Sequence, residues 1–197
     1  MSTVENAHSP AQMRTLSNVG HWVEGAVIAG AGLMMLRDAR RGEGPAAATS
    51  GVLAGAGALL GLGLVGGSFH HGGPRRFFRA DPQQAQHLQM AGLLTGGALA
   101  GGRGRTGALV RDLATARIGH LFLTHTQHGT SDAAARAVRR HRVLGATIVG
   151  GAAATAVADT FGARAFRTAG AVLLIAAGGQ LVAYREPEGA YEDGGGH

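Results

Sequence analysis

The residues of this chain best equipped for chemistry are its histidines. Ten occur, and apart from His8 and His197 in the tails they border apolar stretches: His21, His70, His71, His87, His120, His125, His128 and His141. A neutral imidazole is a good ligand for copper, zinc, nickel and iron. His21 and Glu24 stand three residues apart, as do His125 and His128, so on a continuous helix each pair shares a face and could grip one ion. His87 and Met90 have the same spacing and would offer a nitrogen and a thioether, a set suited to copper or to a haem axial position. The candidate metal ligands are thus His21, Glu24, His70, His71, His87, Met90, His120, His125, His128 and His141. Within them His71, His87, His128 and His141 form the candidate set for a bound cofactor, copper, zinc or haem b.

Other chemistries find little support. Cysteine is absent, which removes thiolate metal sites, iron–sulfur clusters and a thiol nucleophile. No serine-hydrolase elbow, metalloprotease helix, phosphate-binding loop or dinucleotide fingerprint stands in a fitting context, so no catalytic residue is assigned. All 18 basic residues are arginine and the formal net charge is +6. Aromatics make up only 5% of the chain and the arginines flank apolar runs, which argues against a nucleic-acid partner.

The elements that must position the histidines are long and apolar. Charged residues are only 15% of the 197, and a mean hydropathy of +0.09 is depressed by 35 glycines. Between Glu43 and Arg75 run 31 uncharged residues, and Pro82 to Gly102 gives 21 more. About 20 helical residues cross a bilayer core. The 22 residues between Arg14 and Arg37 are interrupted only by Glu24, and the 21 between Arg142 and Arg164 only by Asp159. Thr168 to Tyr184 adds a short fifth run. The stretch 103–131, with Arg111, Asp112 and Arg117 among apolar residues, reads either as a sixth, polar-faced span or as an interfacial helix. The expectation is an all-α integral membrane bundle of five or six transmembrane helices over 15–185, multi-pass in the lipid bilayer. A polar tail (1–14) precedes it, with no cleaved leader, and a disordered tail (186–197) follows. Asp159 is expected near the opposite membrane face from His141, paired with Arg164.

Placing His87 on His141 sets HLQMAGLLTGG over HRVLGATIVGG, and a His-Gly pair precedes each, His71-Gly72 and His128-Gly129. This pattern suggests an internal hairpin repeat, and a repeat requires the sixth span. With six alternating helices, the eight histidines collect in one layer near one membrane face. A single histidine in such a place reads as an interfacial anchor beside Trp22; eight on one side favour a bound centre.

Small residues at helical spacing, Gly51/Gly55, Gly57/Gly61, Gly63/Gly67, Gly92/Gly96 and Gly97/Gly101, are expected to bring helices close. The function expected is binding of a transition-metal ion or haem b by the histidine layer, for metal handling or for electron transfer with a quinone. The alternative is an accessory subunit of a larger membrane complex without a cofactor, its histidines serving as anchors. Either fits a homo- or hetero-oligomer.

Overall fold

The computed structural model describes residues 10–42, 55–62, 82–101, 104–124 and 131–188, and their regular structure is entirely helical. The helices are α1 (Pro10–Arg41), α2 (55–62), α3 (Pro82–Gly101), α4 (Gly104–Leu123), α5 (Asp132–Phe161) and α6 (Arg164–Ala183). Local chemistry sets the bounds of α5. The Ser131 hydroxyl accepts from the Ala134 N–H at 3.1 Å, and Asp132 adds an acid to the first turn, where the helix dipole favours one. At its other end Gly162 takes φ 69°, a left-handed conformation that lets its N–H cap the Ala158 carbonyl at 2.8 Å. The chain reverses there and α6 begins two residues later.

Each helix packs against neighbours running the opposite way. The row is α3, α4, α5, α6, α1, with α2 seated on α3. Antiparallel order shows in the facing pairs: Gly25 meets Gly178 and Gly32 meets Ala171; Gly119 meets Gly145 while Arg111 meets Asp159; Gln86 bonds the Leu121 carbonyl while Gly97 meets Ala114. One end of the molecule therefore gathers the starts of α1, α3 and α5 with the ends of α4 and α6.

Among the described residues, three helical stretches are long and apolar enough to cross a membrane: 17–41 of α1, α5 and α6. The chain thus has the character of a membrane protein, with three of the expected five or six spans meeting that measure. α4 carries Arg111, Asp112 and Arg117. α3 is interrupted by glutamine, threonine and glycine. The run 44–74 is represented among the described residues only by 55–62. Large apolar side chains face outward, Leu59, Leu113 and Phe161 at 71%, 71% and 77% exposure. In water such surface is a liability; against lipid it is the expected exterior.

The interior is correspondingly small. Leu144, Ile148, Ala177 and Leu181 make one cluster with Ile28 and Phe122 against it, and Met90, Ile118 and Leu121 make another. Elsewhere glycine brings backbones together. A methyl group on Gly178 would lie 2.5 Å from the Gly25 carbonyl oxygen, and one on Gly145 would lie 2.5 Å from that of Gly119. Of the glycine pairs expected to pack, Gly57 and Gly61 seat against α3 and Gly97 and Gly101 against α4, but Gly92 and Gly96 face open space. Gly51, Gly63 and Gly67 lie outside the described residues.

Candidate functional site

At the end where α1, α3 and α5 begin, His21 and His141 come together. His21 sits in the fourth turn of α1, and its Nδ1 lies 2.7 Å from the Ser17 carbonyl oxygen. A carbonyl only accepts, so Nδ1 carries the proton and Nε2 keeps its lone pair in the neutral ring. Metal-binding histidines are commonly oriented in this way. His141 is 3% exposed. Its ring centre lies 5.7 Å from that of His21, and Phe122 of α4 stacks on it, also at 5.7 Å.

Tyr184, just past α6, closes the group with its ring 4.5 Å from His21 and 5.3 Å from His141. The segment after α6 is tied down over α1. The Tyr184 carbonyl accepts from Trp22 Nε1 at 3.3 Å, the Glu186 carboxylate accepts from the Ser17 hydroxyl at 2.9 Å, and the Glu186 N–H donates to Asn18 Oδ1 at 2.8 Å. Arg185 lies over the Trp22 ring at 4.5 Å. Glu186, where the disordered tail was expected to begin, is 4% exposed.

The other expected ligands are distributed as follows. His120 ends α4 at the same end of the molecule but is exposed, its Nδ1 accepting from Arg117 at 2.7 Å. Glu24 lies one turn beyond His21, half-buried, and makes no hydrogen bond or ion pair among the described residues. Met90 is buried against Ile118 and Leu121 in an apolar cluster. His87 is in the first two turns of α3, but its side chain is outside the description, as are His70, His71, His125 and His128 altogether. Among the described residues no three histidines or acids stand close enough to hold a metal ion. Two adjoining imidazoles, His21 and His141, are what the described residues bring together here.

The opposite end holds a group that sequence reasoning missed. Asp112 of α4 is 3% exposed, and its Oδ1 accepts from Arg111 Nε and Nη2 at 2.9 and 2.7 Å. The same Nη2 reaches Asp159 of α5 at 2.9 Å, and Arg167 of α6 reaches the other Asp159 oxygen at 3.2 Å. Asp38 and Met35 of α1 and Thr155 of α5 complete the lining of a small crevice here. The expected Asp159–Arg164 pair is thus corrected: Arg164 turns away to cap the end of α1, donating to the Ala39 and Arg40 carbonyls. The eight-residue step from Asp159 to Arg167 across a tight helical hairpin was the available signal; the step to Arg164 falls inside the turn itself.

Along α5 the 18 residues from His141 to Asp159 rise about 27 Å, close to the roughly 30 Å of a bilayer core. The histidine pair and the charged group are therefore two polar layers at the two ends of an apolar, glycine-packed bundle. Comparison with known proteins finds no matching family model, characterised protein or solved structure.

Proposed function

We propose that this chain is a multi-pass membrane protein that holds a transition-metal ion, copper or zinc, at its histidine-bearing end, for metal handling or electron relay. The observation that carries the reading is the meeting of His21 and His141, brought from helices more than a hundred residues apart, with one ring already oriented by a backbone carbonyl. Two imidazoles on one tetrahedral ion, with metal–nitrogen bonds of about 2.0 Å, place their ring centres roughly 5 Å apart. The observed 5.7 Å is near that value. A haem b between them needs a wider separation and a slot for the macrocycle, where Tyr184 and Phe122 now pack. The ion is therefore the favoured centre and haem the second.

Two further ligands would come from the connections at this end. The residues between α4 and α5 include His125 and His128, and those before α3 include His70 and His71. His87 opens α3 on the same side. This is the four-histidine set His71, His87, His128 and His141, widened by His21.

The test is the composition of the full chain extracted gently from membranes. About one equivalent of copper or zinc per chain, without a Soret band, is the expected result. A Soret band at stoichiometric intensity would move the centre to haem b and electron transfer with a quinone. Less than a tenth of an equivalent of any metal, with no haem, would overturn the reading in favour of an accessory subunit of a larger complex.

A further inference from the structure

The charged layer opposite the histidines contains an acid whose surroundings fit it better protonated than ionised. Asp112 and Asp159 share one guanidinium, since Arg111 Nη2 bonds both. Asp159 has Arg167 as well. Asp112 is left with Arg111 alone, all of it directed at Oδ1, and its buried Oδ2 makes no hydrogen bond among the described residues. A buried carboxylate oxygen without a donor is costly, and more so beside a second carboxylate.

The neighbour of that carboxyl is Thr155. Its hydroxyl hydrogen is committed to the backbone, with Oγ1 at 3.2 Å from the Gly151 oxygen and 2.9 Å from the Ala152 oxygen. While that hydrogen stays on the backbone, Thr155 offers Asp112 a lone pair that a protonated carboxyl can use; turned toward Asp112, the same hydroxyl favours the carboxylate instead. The remaining groups around the site are Arg167 on α6 and Asp38 on α1, with Arg37 reaching Asp38 at 3.7 Å from a largely exposed position. From α3, Gly97 and Gly101 pack against Arg111 and bring no charge.

We propose that Asp112 is a proton-binding site of this protein: its carboxylate takes a proton on Oδ2, donates it as a hydrogen bond toward Thr155 Oγ1, and returns it to water at that membrane face. A metal ion is a poor alternative, because Arg111 and Arg167 already occupy both Asp159 oxygens and one of Asp112. The site is independent of any centre held by the histidines.

The experiment is an infrared pH titration of the full chain in lipid nanodiscs, labelled with [4-13C]aspartate so that Glu24 and Glu186 do not contribute. The labelled protonated-carboxyl stretch should be present at neutral pH, disappear at alkaline pH, vanish in Asp112→Asn and survive in Asp38→Asn. Thr155→Val should keep the band and shift its frequency, because the acid loses its acceptor. Absence of the band at neutral pH, or its persistence in Asp112→Asn, overturns the proposal. Should Asp112→Asn fail to fold, Thr155→Val decides: an unmoved band overturns the assignment as surely.

Discussion

Replacing Arg111 with methionine should lower the stability of the bundle by about 3 kcal/mol or more, in the range measured when one partner of a buried ion pair is removed. Arg111 is the only residue among those described that bonds both Asp112 and Asp159, and its side chain is 15% exposed. Methionine keeps the volume and the contact with Gly101, so the loss reports charge more than packing. Asp159 retains Arg167, which offsets part of the penalty. Asp112 is the acid that loses its cation, so the double variant Arg111→Met with Asp112→Asn should recover more of the loss than Arg111→Met with Asp159→Asn, which takes the carboxylate away from Arg167. Unfolding of the reconstituted protein by denaturing detergent, followed by helical circular dichroism, gives these values. A shift of under about 1 kcal/mol for Arg111→Met, the size of an exposed pair, would mean that the charged layer is solvated rather than buried.

A second large effect is expected where α1 crosses α6. A side chain at Gly178 must enter space held by the Gly25 carbonyl and the Ala29 amide, both 2.5 Å from the position of its first carbon. Neither is the end of a flexible side chain, so the helices must part. Gly178→Val should prevent docking of α1 and, with it, the meeting of His21 with His141 and Tyr184. The yield of folded protein should drop several-fold, consistent with overpacking penalties of about 1–3 kcal/mol or more. Gly96→Val is the control, since nothing lies within 4 Å of its added carbon. Equal yields for the two variants would show that α1 does not depend on this crossing.

The helices were legible because spanning a membrane demands long uncharged runs. α1, α5 and α6 follow those runs, and alternation of helix direction put His21, His87, His120 and His141 at one end. The glycine contacts were legible only in part. Spacing within one helix marked Gly97, but the crossings of Gly25 with Gly178 and of Gly119 with Gly145 join glycines from different helices, and no periodicity within a single segment reveals such a pairing. Arg111 and Asp112 read as an interruption of α4, because a charge inside an apolar run looks like a break until its partner is found. That partner, Asp159, lies 48 residues from Arg111 and was assigned to the nearer Arg164. Glu186 was missed for a related reason, while Tyr184 was read only as the end of the last apolar run. A charged, Pro-containing stretch after the last apolar run resembles a tail, and only the hydrogen bonds to Ser17, Asn18 and Trp22 show it folded back over α1.

The most direct test of the histidine centre is the metal content of four forms of the full chain purified side by side: the unaltered protein, His21→Ala, His141→Ala, and the double variant. His8→Ala serves as a control from the amino-terminal tail. Helicity and detergent-solubilised yield are measured on each sample, so that loss of metal is separated from loss of fold. The expected result is about one bound copper or zinc in the unaltered protein and the control, a clear loss in each single variant, and none in the double variant at unchanged helicity. Full metal occupancy in a helical double variant would contradict a centre built on His21 and His141.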